Sequence, residues 1–215
     1  MRFEDMQHLS HIYLYCGGMP TNRRTFTGKQ FIGLDRSPDR KDPPRFHIRH
    51  NLLNKFKLND NTVDIIQSED VFEHLEYSQL KNIFNEIYRV LKPNGIFRLS
   101  MPDYDCDILY NRSTFDKFGN IVFDAGGGGS YNLMSKKVEN GGHLWFPTYK
   151  SVKPLLESTN FSNNKINFLH YYDENKKPIT NNIDYSMGYI SRTPDNDKRV
   201  QNPRRPMSIV VDCYK

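Results

Sequence analysis

The sequence is poor in cysteine and contains no long hydrophobic run. Its three cysteines, Cys16, Cys106 and Cys213, lie far apart and form no C-x-x-C pair, which argues against a disulfide framework and a structural zinc site. No stretch approaches the about 18 apolar residues that a membrane-spanning helix needs. The first ten residues hold no hydrophobic signal core, so we expect a cytoplasmic protein.

The rest of the composition is typical of a folded domain with an excess of positive charge. Of the 215 residues, 13% are aromatic and 26% are charged, and the net charge is +5. This length suffices to bury a core, and we expect a single domain over 1–215. The charge is compatible with a nucleic-acid partner, with an anionic small substrate, or with solubility alone.

Short apolar runs separated by turn residues predict the strands of an α/β sheet. These runs occupy 11–15, 30–34, 45–49, 63–67, 96–100, 166–171 and 208–213. Apolar residues recur at three- and four-residue steps from Leu80 to Leu91, which predicts a helix that Pro93 and Gly95 end. Strand, helix, turn and strand at this spacing form a βαβ unit and imply a parallel sheet. A second helix is predicted over 149–159.

A glycine turn follows the first predicted strand, and an acid ends the second. Gly17 and Gly18 form the turn, and Asp35 is the acid. In open α/β sheets such glycines let a nucleotide approach the backbone, and the acid accepts hydrogen bonds from the ribose hydroxyls. The alternative is a plain turn with a surface aspartate.

The middle of the chain carries a more specific pattern. Residues 61–75 read NTVDIIQSEDVFEHL, and 89–98 read RVLKPNGIFR. Both segments resemble the class I S-adenosylmethionine-dependent methyltransferases, closest to the small methyltransferase domain 11 type. Gly142-His143-Leu144-Trp145 and 155–161 are similar to a further element of that family, with Asn160 in place of its usual glycine.

The resemblance implies a Rossmann-like α/β fold that uses S-adenosylmethionine. We expect a mostly parallel seven-stranded sheet with an antiparallel last strand and helices on both faces. Because only about a dozen residues separate Gly18 from the second strand, the first helix should be short or missing. Residues 11–102 would form the cofactor-binding half and 103–215 the substrate side with lid segments.

The family's pattern also implies roles for individual residues. Those expected to contact the cofactor are Tyr15, Cys16, Gly17 and Gly18 at the methionine end, Asp35 at the ribose, Asn51 and Leu52 near the adenine, and Ser68 and Glu69 at the fourth strand. One departure is that Tyr13 and Tyr15 replace the acid and the first glycine of the family's first motif. A non-catalytic cofactor-binding module is therefore an alternative.

Methyl transfer to a hydroxyl needs positioning and usually a base. The candidate catalytic residues are His143, His74 and Asp103. We expect O-methylation of a sugar, a glycan or another small polar acceptor. No metal is predicted, because the loop from Asp103 lacks the EF-hand glycine and glutamate; magnesium-assisted O-methylation stays an alternative.

A basic segment near the end of the chain could recognise an anion. The candidate substrate-binding residues are Trp145, Tyr189, Arg192, Arg204 and Arg205, since arginine binds phosphate in a bidentate manner. They would suit an anionic or nucleotide-linked acceptor under a lid. An RNA- or nucleotide-directed methyltransferase that uses 192–205 is the alternative. The glycine-rich segment 125–130 could act as a mobile gate.

Overall fold

The protein is built around one eight-stranded sheet. The computed structural model describes residues 1–6, 8–18, 28–36 and 46–215. The strands of this sheet are β1 (Tyr13–Cys16), β2 (Phe31–Asp35), β3 (His47–Arg49), β4 (Val63–Glu69), β5 (Leu91–Pro102), β10 (Ile166–Tyr172), β11 (Pro178–Thr180) and β12 (Ser208–Tyr214). Their order is β11-β10-β12-β5-β4-β1-β2-β3.

The first five strands are parallel, and the last three strands alternate in direction. β1 lies between β2 and β4, and β5 pairs with β4 in parallel. β12 runs antiparallel between β5 and β10, and β11 adds an antiparallel edge. This confirms the Rossmann-like fold with an antiparallel last strand, and β11 is an eighth strand beyond the seven predicted.

Two helices pack on one face of the sheet. They are α1 (Tyr77–Val90) and α3 (Tyr149–Glu157), close to the predicted bounds, while α2 (Asp107–Asn111) is a single short turn. Five apolar residues of α1 and three of α3 are buried. They meet alternate strand residues such as Ile66, Phe97, Leu99 and Val211 in one apolar cluster, as the period of two in a strand requires.

The opposite face is covered by irregular chain. We call residues 181–206 the cover segment; it contains two 3-10 turns, Tyr185–Met187 and Lys198–Val200. Buried polar side chains of the strands hold it. Arg98 donates to the carbonyls of Asp184 and Gly188 at 2.7 and 2.9 Å, and Gln67 donates to the Tyr189 carbonyl at 2.5 Å.

Between β5 and α3 the chain forms two small hairpins that the sequence analysis did not identify. They pair β6 (Ser113–Phe115) with β7 (Ile121–Asp124), and β8 (Ser130–Asn132) with β9 (Lys137–Glu139). The glycine-rich segment between them contains a 3-10 turn, Ala125–Gly127, in which Gly127 is buried; its role as a gate stays a prediction.

The predicted short first helix would lie mainly in 19–27, outside the described residues. None of the helices described is long and apolar enough to cross a membrane.

Candidate active site

A cleft opens where the parallel strands end. Its volume is about 380 Å³, within the roughly 300–1,000 Å³ of small-molecule sites. Five residues predicted to bind the cofactor line it: Gly17, Gly18, Asp35, Asn51 and Leu52. This is the edge at which open α/β sheets bind ligands.

The turn after β1 requires glycine for two reasons. Gly17 has φ = 103°, and a Cβ there would lie 2.8 Å from Cγ2 of Val71. Its N–H donates to the Leu34 carbonyl at 2.8 Å. A Cβ at Gly18 would lie 3.0 Å from Oδ2 of Asp35. Side chains at these two positions would meet Val71 and Asp35, so the backbone itself lines this part of the cleft.

The tyrosine rings before this turn do not occupy the cleft. Tyr15 is 4% exposed, and it packs with Tyr13, Phe31 and Ile65 on the face that the cover segment lines. Cys16 points to the helical face, where burial raises the pKa of its thiol to about 12. Side chains of Tyr15 and Cys16 thus do not line the cleft, and only their backbone continues into the glycine turn.

The contribution of β4 lies further along the chain than predicted. The strand extends to Glu69 instead of residue 67, so Asp70 and Val71 line the cleft. Ser68 is fully buried, and Glu69 accepts hydrogen bonds from the backbone and hydroxyl of Ser191 at 2.8 and 2.5 Å. Both of these predicted residues lie behind the cleft lining.

Five further residues that were not predicted line the cleft. They are Leu34, Arg36, His50, Leu75 and Gly141. Leu34 ends a predicted strand, and Arg36 and His50 lie within two residues of a strand end, so the ends of parallel strands are a signal that could have found these three. Gly141 comes from a distant loop, and no local pattern points to it.

Two of the three candidate catalytic residues meet beside the cleft. His74 lines the cleft and His143 lies behind it, with their ring centroids 4.7 Å apart. Glu73, which the sequence analysis did not select, completes the group: its Oε1 lies 3.7 Å from Nε2 of His143. Among the described residues, these are the one set of three or more His, Cys, Asp or Glu side chains that could hold a metal ion. One potential ligand atom of each residue lies within 4.8 Å of the others.

His143 is held by a chain of polar groups. Its Nδ1 lies 2.5 Å from the Tyr104 hydroxyl, which donates to Asp124 at 2.6 Å. Arg112 pairs with the same carboxylate at 2.7 Å. Because Tyr104 gives its proton to Asp124, the His143 Nδ1–H donates to the Tyr104 oxygen and leaves Nε2 with the lone pair.

Burial changes the protonation of this group. Desolvation, followed by the charge of His74, lowers the pKa of His143 to about 4. Desolvation and the nearby Asp70 carboxylate raise the pKa of Glu73 well above its usual value. His143 is therefore neutral near pH 7, and it is 4% exposed.

Three hydrogen bonds join the segment after β4 to the segment before α3. The Leu144 amide donates to the Glu73 carbonyl at 2.8 Å, and the Trp145 indole donates to the Phe72 carbonyl at 3.0 Å. Nδ1 of His74 lies 2.8 Å from the Gly141 carbonyl. The Trp145 indole is therefore tied to the 3-10 turn Phe72–His74, and its predicted role in substrate binding stays a prediction.

Asp103, the third candidate base, is placed differently. It is fully buried, and its carboxylate accepts the amides of Asp105 and Tyr172 at 3.1 and 3.0 Å. Burial raises its pKa to about 7. The carboxylate connects the end of β5 to β10 and is not part of the cleft lining.

The arginines of the basic segment carry carboxylate partners. Arg192 pairs with Asp70 at 2.8 Å, Arg204 with Asp195 at 2.7 Å and Arg205 with Asp107 at 2.8 Å. Arg192 alone reaches a residue of the cleft lining. Tyr189 lies in the cover segment with its carbonyl bound to Gln67. The structure thus does not bring Tyr189, Arg204 and Arg205 together with the cleft.

Comparison with known proteins identifies the class of this fold. A crystal structure of an S-adenosylmethionine-dependent methyltransferase from Archaeoglobus fulgidus superposes with a TM-score of 0.53 at 16% identity, over 96% of this chain and 87% of that one. One from Mesorhizobium loti gives 0.51 at 14% identity, over 99% and 95%. The fold is that of the S-adenosylmethionine-dependent methyltransferases.

Sequence comparisons match part of the chain. Residues 16–99 match the model of the methyltransferase domain family. A probable S-adenosylmethionine-dependent methyltransferase of Mycolicibacterium smegmatis is 40% identical over 60 residues, which are 28% of this chain and 23% of that protein. The chain thus spans about a quarter of the length of this relative, and the segment that matches the family runs from the end of β1 into β5.

Proposed function

We propose that this protein transfers a methyl group from S-adenosylmethionine to a hydroxyl of a small polar acceptor, with sugars and glycans as the leading class. The observation that carries the proposal is that one cleft is lined by two kinds of group. Gly17, Gly18 and Asp35 form one part of its wall, and His74 belongs to the same wall. A cofactor and an acceptor need such adjoining positions for in-line transfer.

The residues around the glycine turn fit an adenosyl group. Asp35 would accept hydrogen bonds from the ribose hydroxyls, and Asn51 and Leu52 would flank the adenine. The backbone at Gly17 and Gly18 would pass beneath the methionine end. When bound, the cofactor supplies a methyl group on a positively charged sulfur.

The residues around His74 fit a hydroxyl acceptor. The acceptor oxygen would take the methyl carbon as the carbon–sulfur bond breaks, and the electron pair of that bond would leave with S-adenosylhomocysteine. The hydroxyl proton must go to the protein or to water. His74 in the cleft wall, with Glu73 and His143 beside it, would hold the hydroxyl and receive this proton.

The ion pairs of the basic segment weigh against an RNA substrate. Binding of a phosphate backbone needs unpaired positive charge and is strongly salt-dependent. Arg192, Arg204 and Arg205 instead face Asp70, Asp195 and Asp107. We therefore favour a small acceptor, and we expect its turnover to change little with salt.

Replacing Asp35 tests the cofactor assignment. Asp35→Ala should raise the dissociation constant for S-adenosylmethionine about 10- to 100-fold, because it removes hydrogen bonds to a charged group. Calorimetric titration measures this, and Asp5→Ala serves as control, since Asp5 is an exposed carboxylate outside the cleft lining. An unchanged constant in Asp35→Ala refutes the ribose assignment. Absence of binding by the wild type at millimolar cofactor contradicts the proposed function.

A panel of hydroxyl acceptors tests the substrate class. Sugars, nucleotide-linked sugars and short RNA are incubated with cofactor, and methylated product is detected by mass spectrometry. Methylation of a sugar hydroxyl is the expected result. Methylation of RNA alone, with turnover that falls steeply as salt increases, would support the alternative.

A further inference from the structure

The carboxylate of Glu73 is fully buried beside the cleft. The residue is 0% exposed, and neither Oε1 nor Oε2 has a hydrogen-bond partner among the residues that the structure describes. Buried polar groups in native proteins nearly always have a partner, so an unpartnered carboxylate calls for a specific explanation. The carboxylates of Asp70 and Glu69 repel a negative charge there, and the Arg192 guanidinium attracts it, with Asp70 as the strongest of the three charges. A cation at this position would satisfy the carboxylate and offset the repulsion.

Both neighbouring histidines are oriented as metal ligands are. The His74 Nδ1 lies 2.8 Å from the Gly141 carbonyl, which can only accept, so this nitrogen carries the proton. The His143 Nδ1 donates to Tyr104 in the same way. Each ring therefore has its lone pair on Nε2. A metal-binding histidine usually donates its other ring N–H to a carbonyl or to another acceptor in this manner.

The distances are close to those of a coordination site. Two ligands at about 2.1 Å from a tetrahedral zinc ion are about 3.4 Å apart. His143 Nε2 and Glu73 Oε1 are separated by 3.7 Å, and all three ligand atoms lie within 4.8 Å of one another. A Cβ at Gly127 would lie 2.7 Å from the His143 ring, so the glycine-rich segment packs directly over it.

We propose that Glu73, His74 and His143 bind one divalent transition-metal ion, with Zn²⁺ as the best fit. Two imidazole nitrogens and one carboxylate suit Zn²⁺, whereas Mg²⁺ prefers oxygen ligands in an octahedron. Three protein ligands leave a coordination position open, and His74 and Gly141 place it at the cleft. This departs from the expectation from sequence that no metal is bound.

The open position would take the oxygen of the acceptor. A hydroxyl bound to Zn²⁺ loses its proton more readily, because the positive charge stabilises the alkoxide. The proton would leave to water, and the oxygen would remain on the metal until it takes the methyl group. This role rests on the proposed function; the metal site itself does not.

Metal binding by the full chain tests the site directly. Chelator-treated protein is titrated with Zn²⁺ against a chromophoric competitor, and bound metal is counted by mass spectrometry. We expect one Zn²⁺ per chain, and Mg²⁺ in excess should not displace it. Glu73→Gln and His143→Ala should weaken binding by at least about 100-fold, since even outer contacts contribute 10- to 100-fold. His11→Ala is the control, because His11 and Asp64 form a surface pair 3.3 Å apart that could bind metal loosely.

Two results would overturn the proposal. One is failure of the wild-type protein to bind one Zn²⁺ per chain. The other is Zn²⁺ binding that is lost in His11→Ala but retained in Glu73→Gln and His143→Ala. If these two variants do not fold, as judged by circular dichroism, the visible spectrum of Co²⁺ added to the wild-type protein tests the metal site instead. A four- or five-coordinate visible spectrum supports the site, and the spectrum of aqueous Co²⁺ refutes it. Cofactor titration is scored separately, so failure of the metal site and failure of the proposed function give different results.

Discussion

The two faces of the sheet are stabilised by different means. On the helical face, α1 and α3 bury apolar side chains against Phe97, Leu99 and other strand residues. On the other face, the strands present Arg98, Gln67 and Asp212 to the cover segment. Arg98 is fully buried and makes two hydrogen bonds of 2.8 and 2.7 Å to the Asp212 carboxylate.

This difference shows that an irregular segment can replace helices when backbone carbonyls meet buried donors. Helices satisfy their own backbone groups, so their face of the sheet can be wholly apolar. The cover segment cannot, and the side chains of β4 and β5 supply the donors that its carbonyls need. Removing a hydrogen-bond donor on this face should therefore lower the free energy of unfolding more than removing a methyl group on the helical face.

The strongest test of this comparison is Arg98→Ala. It leaves the Asp212 carboxylate buried without its cation, which should lower the free energy of unfolding by about 3–5 kcal/mol. Urea unfolding measures the loss. Ile87→Val, a deletion on the helical face, should cost only about 0.5–1.5 kcal/mol.

A double variant separates the ion pair from the carbonyl bonds. Arg98→Met with Asp212→Leu removes both charges and also the Arg98 donor to the carbonyls of Asp184 and Gly188, of which the Asp184 carbonyl keeps the Met187 amide at 3.1 Å. It should recover only part of the stability lost in Arg98→Ala. Full recovery would show that the bonds to the cover segment contribute nothing.

A second test is the loss of stability at acidic pH. His170, in β10, is fully buried, and desolvation lowers its pKa to about 4. The unfolded chain thus binds a proton between about pH 6.5 and pH 4 that the folded chain does not. Stability contributed by neutral His170 is present above pH 6.5 and is lost as the pH falls towards 4, by about 2–3 kcal/mol.

Urea unfolding of wild type and His170→Gln at pH 7 and pH 4.5 measures this contribution. Glutamine can still donate to the Asn181 carbonyl, which lies 3.0 Å from His170 Nε2. The variant should lose less stability than the wild type on acidification. Equal losses would show that His170 does not contribute.

The smallest expected loss of stability is that of a Gln67 variant. Gln67→Met keeps the side-chain length but removes the hydrogen bond to the Tyr189 carbonyl, at a cost of about 1 kcal/mol. Hydrogen exchange should speed up at residues 186–191 of the cover segment and stay unchanged in α1. Ile66→Val, on the same strand but facing the helices, is the matched control. Faster exchange throughout the protein in Gln67→Met would contradict a separate role for this face.

Periodicity predicted the helical face well and the other face poorly. The helix over Leu80 to Leu91 and the strands around it were found within a few residues, because apolar spacing encodes them locally. Arg98 lies within a predicted strand, but nothing near it in sequence shows that Asp212 is its partner. The arginines at 192–205 were expected to be free for substrate, since partners such as Asp70 and Asp107 are remote in sequence.

The candidate site divides in the same way. Gly17, Gly18 and Asp35 were identified because strand ends and turns are local features. The group around Glu73 was found only in part, because it depends on a loop near residue 143 that returns to the end of β4. Glu73 reads as an ordinary acidic residue until its burial is known.

The three cysteines give the molecule a set of internal reporters. Cys16 ends β1 beside the glycine turn, Cys106 precedes α2, and Cys213 lies in β12; all three are buried as free thiols. Burial raises the pKa of each thiol, so alkylating reagents can react only when the surrounding segment opens. The labelling rate at each cysteine, followed by peptide mass spectrometry, therefore times the opening of three separate segments without an introduced probe.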